Sequence, residues 1–139
     1  MIANSWAGLA YERDEQRVDS AKLCVIPNGI DIERFKPGRA DGIRKEFNIP
    51  QDATVVGMFA HFRGNKDHAT LIDAARKVLS NHRHVYFLLV GGFDGTEPNT
   101  LHGQCRAAVN RYGMGDRVIF AGHRSDMAQL YRAIDIKVL

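Results

Sequence analysis

The stretch that decides the fold is residues 54–80, TVVGMFAHFRGNKDHATLIDAARKVLS. Its first seven residues, 54–60, are apolar and rich in β-branched side chains, which is typical of a strand buried on both faces. From residue 67 to residue 80 the apolar side chains recur at helical spacing and form one stripe, and Asn65 or Asp67 can cap the helix start. A buried strand followed by an amphipathic helix is the repeating unit of a parallel sheet.

The same unit recurs along the chain. Residues 85–90 are apolar throughout and precede an expected helix over about 99–112, which Gly113 is placed to end. A third strand is expected over 117–121, a helix over about 125–133, and a fourth strand from residue 135. The pattern predicts an α/β fold, a partial doubly wound, Rossmann-like parallel sheet with helices on both faces and right-handed crossovers. In the sheet order 3-2-1-4-5-6 the fourth strand would lie at an exposed edge, which predicts self-association.

The first 50 residues follow a different pattern. Residues 22–26 resemble a short strand, residues 27–29 a turn, and residues 42–47 a short helix. Residues 6–20 are polar and predict a connector.

The composition excludes several classes of protein. No apolar run approaches the ~20 residues of a membrane-spanning helix, and no basic region of a signal peptide begins the chain. These features predict a cytoplasmic protein, or one peripheral at the inner face of the membrane. The net charge of +3 is spread along the chain without basic–aromatic runs, so no nucleic-acid partner is expected. Cys24 and Cys105 match no metal or redox spacing and are expected to be reduced core thiols.

Several familiar motifs are missing from the sequence. It contains no dinucleotide fingerprint, no Walker A loop and no nucleophile elbow. His82 and His84 are expected to face solvent, since two histidines do not make a metal site. Asp94 and Asp126 follow strands, where an aspartate is more often a helix cap than a catalytic acid.

The segment with the most chemical content is residues 61–68, HFRGNKDH, which joins the first strand to its helix. It lies at the carboxyl edge of the predicted sheet, where ligands of open α/β sheets bind. Arg63 and Lys66, with His61, place two or three cations before a helix N-terminus, whose free N–H groups favour an anion. Spacing alone leaves two interpretations open, a phosphate-binding loop or a solvated loop that is basic by chance.

Several stretches, taken in order, resemble the group-1 (family 4) retaining glycosyltransferases of the GT-B fold. They are residues 25–31 VIPNGID, 42–50 GIRKEFNIP, 66–74 KDHATLIDA, 90–92 VGG and 117–122 RVIFAG, the last followed by Asp126, Tyr131 and 133–135 AID. The resemblance covers residues 22–139, and residues 2–5 resemble the strand that closes the family's other domain.

This resemblance implies a two-domain enzyme. Residues 1–21 would be a strand and connector from the N-terminal acceptor domain, and residues 22–139 an incomplete C-terminal domain that binds a nucleotide-sugar donor. The acceptor, a sugar or a lipid-linked molecule, would be held by the other domain. The family's Gly-rich loop and paired glutamates would follow Leu139. We therefore expect a fragment, half of a GT-B enzyme, that is inactive alone.

The resemblance also implies site residues. Lys66 matches the family's catalytic lysine, which contacts the donor diphosphate, usually without a metal or other cofactor. The family's arginine is His61 here, so Arg63 could reach in from the same loop or His61 could act as a weaker donor. Gly91 belongs to the glycine turn beside the diphosphate. The two residues expected to line the nucleotide base are His123 and Arg124.

The predicted function is transfer of a sugar from a nucleotide sugar to an acceptor with retention. Cations at the diphosphate would stabilise the charge that develops on the leaving nucleoside diphosphate. Two alternatives stay open. One is a non-catalytic, Rossmann-like module that binds a nucleotide or sugar phosphate, which the histidine at position 61 favours. The other is a different GT-B enzyme, an epimerase or phosphorylase.

Overall fold

The computed structural model describes residues 1–93, 95 and 100–139. Its contacts divide the chain into two compact units, Met1–Phe35 and Lys36–Leu139. The proposed boundary at residue 21, with an acceptor-domain remnant before it, stays a prediction. No helix in the described part of the chain is long and apolar enough to cross a membrane.

The first unit holds two short strands and a helix. Strand β1 (Ile2–Ala3) pairs in parallel with β2 (Cys24–Val25), and helix α1 (Trp6–Asp14) follows β1. The connector expected over residues 6–20 is therefore wrong for its first part. Ser5 starts the helix, because its Oγ accepts a hydrogen bond from the Gly8 N–H at 3.0 Å. The helix buries no residue, so no apolar stripe marks it in the sequence.

The two cysteines differ in their surroundings. Cys105 is buried, as expected, and burial raises the pKa of its thiol to about 11. Cys24 is exposed, so its expected place in a core is wrong. It lies in the two-residue strand β2, in which Cys24 is exposed and Val25 is partly buried.

The second unit alternates helices and strands as the sequence predicts. Its elements are α2 (Asp41–Glu46), β3 (Thr54–Phe59), α3 (His68–Asn81), β4 (Val85–Val90), α4 (Leu101–Arg111), β5 (Val118–Gly122), α5 (Met127–Ala133) and β6 (Ile136–Val138). Helix α4 ends as expected, since Gly113 follows it with a φ of 63°. Asn99, the expected start of that helix, and Asp94, an expected cap, lie outside the described residues.

The four strands of the second unit form one parallel sheet in the order β5-β4-β3-β6. These are the third, second, first and fourth strands of the predicted series, so the doubly wound order is confirmed. Strand β6 pairs with β3 on one side and lies at the edge of the described sheet, also as predicted.

Each face of the sheet carries its own core. On one face, α3 and α4 pack on β4 and β5 through Ile72, Leu79, Phe87, Leu89, Cys105, Val109 and neighbouring side chains. On the other face, α2 and α5 pack on β3 and β4 through Ile43, Ile49, Val55, Leu88, Leu130 and Ala133. Helices on both faces explain why these strands are apolar throughout rather than alternating.

A buried arginine fastens α2 to the second core. Arg44 is 9% exposed and donates hydrogen bonds to the carbonyls of Ala133, Gln51 and Ala53, at 3.0, 3.0 and 2.9 Å. It also donates to Asp135 Oδ2 at 3.0 Å, and that oxygen accepts the Val55 N–H at 2.7 Å. The guanidinium thereby ties together the loop before β3, the end of α5 and the start of β6.

Candidate functional site

The predicted site residues lie in the loops that follow three neighbouring strands. His61, Arg63 and Lys66 follow β3, Gly91 follows β4, and His123 and Arg124 follow β5. Parallel strands end at one edge of the sheet, so these loops meet there.

The loop after β3 brings Lys66 to the start of α3. A short 3₁₀ turn spans Gly64–Lys66, and the Lys66 N–H donates to the Arg63 carbonyl at 3.0 Å. Asp67 then adopts a left-handed conformation, with φ 48° and ψ 46°, and its Oδ1 accepts the Thr70 N–H at 3.3 Å. Asp67, rather than Asn65, is therefore the helix cap. Lys66 is partly buried in front of the first helical turn, whereas Arg63 is exposed.

Two glycines let the neighbouring loops approach closely. A Cβ atom on Gly91 would lie 1.9 Å from the Ala60 carbonyl oxygen, so no other residue fits there without a shift. A Cβ on Gly92 would lie 2.9 Å from His61 Nδ1 and 4.0 Å from His123 Nδ1. His61, predicted for the diphosphate, and His123, predicted for the base, thus flank the same glycine. Distance in sequence hides this juxtaposition.

Hydrogen bonds fix these glycines to the adjoining loops. The Gly91 N–H donates to the Gly122 carbonyl, and the Phe62 N–H donates to the Gly92 carbonyl, both at 2.9 Å. The backbone around the site is therefore held on both sides by its neighbours.

A second lysine that the sequence analysis missed lies near Lys66. Lys137 is on β6, and its Nζ lies 5.8 Å from the centre of the Phe59 ring. Burial lowers the pKa of Lys137, and the positive charge of Lys66 lowers it further. The sequence feature that could have identified Lys137 is a lysine inside the short apolar segment 136–139. The position of Lys137 near Lys66, however, follows only from the pairing of β6 with β3.

Arg124 is engaged with carboxylates. It donates to Asp126 Oδ1 and Oδ2 at 2.9 and 2.7 Å, and to both carboxylate oxygens of Glu46, with 3.0 Å to Oε2. Asp126 occupies the N-cap position of α5, but its side chain caps no backbone N–H. The prediction that the Asp126 side chain caps the helix is therefore wrong, because its carboxylate accepts hydrogen bonds from Arg124 instead.

A cluster of phenylalanine and histidine rings packs together at the loop after β3. His68 is 1% exposed and stacks on Phe62, with ring centres 4.0 Å apart, and His102 is 5% exposed and stacks on Phe93 at 3.8 Å. Burial lowers the pKa of both histidines. The nearby Ala60 carbonyl raises the pKa of His68 and so opposes part of the effect of burial. Among the described residues, neither ring nitrogen of His68 has a partner with the geometry of a hydrogen bond.

Other histidines and acids contribute no metal site in the described ranges. His82 and His84 are exposed, as expected. No group of three His, Cys, Asp or Glu side chains within residues 1–93, 95 and 100–139 could hold a metal ion.

Comparison with known proteins decides the family. Residues 40–139 match the family model described as glycosyl transferases group 1, which is most of the chain. The chain belongs to the group 1 glycosyl transferases. Its Rossmann-like sheet is that of a GT-B glycosyltransferase, as the sequence predicted.

Relatives of this group 1 glycosyl transferase include two proteins whose names state a sugar transfer. An Escherichia coli protein named UDP-Gal:alpha-D-GlcNAc-diphosphoundecaprenol alpha-1,3-galactosyltransferase is 30% identical over 90% of this chain and 32% of its own length. A D-inositol 3-phosphate glycosyltransferase of Mycobacteroides abscessus is 33% identical over 85% of this chain and 26% of its own.

A solved structure is similar over nearly all of the chain. HepE of Anabaena, crystallised in complex with UDP and glucose, superposes with a TM-score of 0.82 at 28% identity, covering 98% of this chain and 36% of that one. The present chain thus spans about a third of the length of the proteins it matches.

Proposed function

We propose that this chain binds the diphosphate of a nucleotide-sugar donor, and that the whole protein transfers the sugar to an acceptor with retention. One observation carries the proposal: Lys66 stands before the α3 N-terminus at the carboxyl edge of the sheet, in a chain of the group 1 family. The name of HepE's complex supports a nucleotide donor, since that relative holds UDP and glucose.

Charge explains why a lysine is needed there. The free N–H groups and dipole of a helix N-terminus amount to about half a positive charge. A nucleoside diphosphate carries more negative charge than that, so a full cation must complete the site. Lys66 would be the catalytic residue, because the charge on the diphosphate grows as the sugar–phosphate bond breaks.

The glycine turn and the histidines would complete the donor pocket. Gly91 would line the diphosphate with its backbone alone, since a Cβ atom there would meet the Ala60 carbonyl oxygen. His61, beside Gly92, would add a weaker donor than the family's arginine, and Arg63 could reach the same phosphate from the exposed side of the loop. His123, which is exposed at the next loop, would line the base.

The proposal needs no metal ion or cofactor, since Lys66 and the helix supply the positive charge. The acceptor would be a sugar or a lipid-linked molecule bound by another part of the whole protein. The E. coli relative's name, with its diphosphoundecaprenol-linked acceptor, supports a lipid-linked one. A cytoplasmic location is proposed as well. A lipid-linked acceptor would favour attachment to the inner face of the membrane.

The test is calorimetric titration of this chain with UDP, GDP and ADP, and with the matching monophosphates. At least one diphosphate should bind about 10-fold or more tighter than its monophosphate, because the second phosphate gains the lysine. Added EDTA should leave the affinity unchanged. Equal affinity for diphosphates and monophosphates would contradict the proposal.

A second candidate is a module that binds a nucleotide or sugar phosphate and catalyses nothing. The observation in its favour is His61, which replaces the family's arginine. Incubating the whole protein with UDP-, GDP- and ADP-sugars separates the two, since an enzyme releases nucleoside diphosphate, at least by slow hydrolysis, and a binding module does not.

A further inference from the structure

Arg124 was expected to face the nucleotide base, but its guanidinium is already occupied. Four hydrogen bonds join it to Glu46 and Asp126, out of the five N–H donors that an arginine has. Its side chain is 23% exposed, and its guanidinium carbon lies 5.5 Å from the centre of the Phe47 ring. A base contact that uses more than the fifth donor would require this arginine to leave at least one of the carboxylates.

Two of the groups around Arg124, Glu46 and Phe47, lie at the end of α2, far away in sequence. Glu46 is the last residue of that helix, and Phe47 follows it and packs against the second core. Arg44, two residues earlier, is held by hydrogen bonds to three backbone carbonyls. The end of α2 is therefore a rigid support, and Arg124 attaches the loop after β5 to it.

The loop needs such an attachment. Gly122 has a φ of 69°, so the chain turns sharply as it leaves β5. His123 is exposed and Arg124 is the next residue, so the position of Arg124 limits where the His123 backbone and side chain can lie.

We propose that Glu46 is a positioning residue, which acts through Arg124 to hold the loop after β5 and thereby sets the base preference of the site. The inference rests on the proposed function, because it assigns the base to this loop. Neither side chain touches the nucleotide. Hydrogen bonds from Arg124 lower the pKa of the Glu46 and Asp126 carboxyls, so both stay charged at neutral pH.

The test compares the variants Glu46→Ala, Glu46→Gln, Arg124→Ala and the double variant Glu46→Ala/Arg124→Ala. Each is titrated with UDP, GDP and ADP, and its melting temperature is recorded. Asp52→Ala removes another exposed carboxylate of the same unit and is the matched control. Glu46→Gln keeps the shape of the side chain in case Glu46→Ala fails to fold.

We expect each single variant to weaken the preferred nucleoside diphosphate by about 3- to 5-fold, the upper range for a partly exposed ion pair. The affinities for the other two nucleoside diphosphates should change less. The difference in affinity between the preferred nucleotide and the other two should therefore become smaller. The double variant should be no weaker than Arg124→Ala, since both changes break one contact. Asp52→Ala should bind like the wild type.

Three results would overturn the inference. If Arg124→Ala weakens binding while both Glu46 variants bind like the wild type, Arg124 contacts the base directly. If all three nucleotides weaken equally, the pair serves only stability. If no variant changes binding, the loop does not need the pair. Failure of the wild type to bind any nucleoside diphosphate is different, since it overturns the proposed function as well.

Discussion

The turn at Lys66 and Asp67 joins a strained backbone to a charged side chain. Asp67 is one of the few non-glycine residues with a positive φ, and it also caps α3. This conformation suits few residue types. Glycine adopts a left-handed backbone at no cost, and aspartate tolerates it better than most residues.

At this position we predict that Asp67→Ala destabilises the chain by about 1–2 kcal/mol, because it removes the cap and keeps the strained φ. Asp67→Gly should cost only a few tenths of a kcal/mol, since the backbone relaxes. Urea unfolding of both variants measures the difference. Equal losses for Ala and Gly would show that the left-handed backbone carries no cost here.

The residues of the site differ in how far the sequence could identify them. Lys66, His61 and Gly91 follow strands directly, so their edge of the sheet could be predicted from the order of elements alone. The meeting of His61 with His123 at Gly92 and the approach of Lys137 to Lys66 depend on how strands pair. The ion pair of Arg124 with Glu46 joins residues on different elements, and no local pattern marks it.

At the scale of elements, the strongly periodic segments were predictable and the others were not. The helix α3 and the strand β4 match their expected positions within a residue, because burial on both faces leaves a clear apolar signal. Helix α1 was missed, since it buries nothing and its start depends on the Ser5 cap. The short helix α2 is small, but Arg44 anchors it to two other elements.

We therefore predict that Arg44→Met destabilises the chain by about 2–4 kcal/mol, since three backbone carbonyls and the Asp135 carboxylate lose their donor. Lys45→Met, at the exposed neighbouring position, should change stability by less than about 0.5 kcal/mol. Denaturant unfolding of the two variants gives both values. A loss at Arg44 as small as that at Lys45 would contradict the anchoring role.

At the scale of the whole molecule, the edge of the sheet predicts association. Beside β6, an apolar groove runs between the sheet and α3, lined by Val56, Leu71, Ala74, Val78, Ile136 and Val138. Ile136 is 49% exposed, and the outer edge of β6 pairs with no described strand. Exposed edges with apolar side chains recruit other chains.

This chain, residues 1–139, should accordingly self-associate in a concentration series followed by light scattering. Ile136→Lys should shift it towards the monomer, because a charge at an edge opposes pairing. Ile32→Lys, at a more exposed isoleucine of the first unit, should not. A wild-type chain that stays monomeric throughout the series would count against the prediction.

The buried histidines predict a dependence of stability on pH. Burial lowers the pKa of His68 and His102 in the folded chain below the ordinary value of 6.5. Below pH 6.5 the unfolded chain therefore binds protons that the folded chain does not, so the free energy of unfolding decreases as the pH is lowered. Above pH 6.5 this loss of unfolding free energy is absent.

We expect His68→Leu and His102→Leu each to reduce the loss of unfolding free energy between pH 7.5 and pH 5, as measured by urea unfolding at about these two values. His84→Gln, at an exposed histidine, should leave the pH dependence as it is in the wild type. An unchanged slope in both buried-site variants would mean that these histidines already accept protons in the folded chain.

The central claim is that Lys66 holds the diphosphate of the donor, and titration calorimetry of Lys66→Ala with UDP and GDP tests it most directly. A charge-assisted hydrogen bond contributes roughly 1.5–3 kcal/mol, so affinity should fall by about 10- to 100-fold. His61→Ala should lose less, and Lys77→Ala, at an exposed lysine of α3, should lose nothing. If Lys66→Ala binds as tightly as the wild type and melts slightly higher, as expected for a cation removed from a helix N-terminus, the claim is wrong.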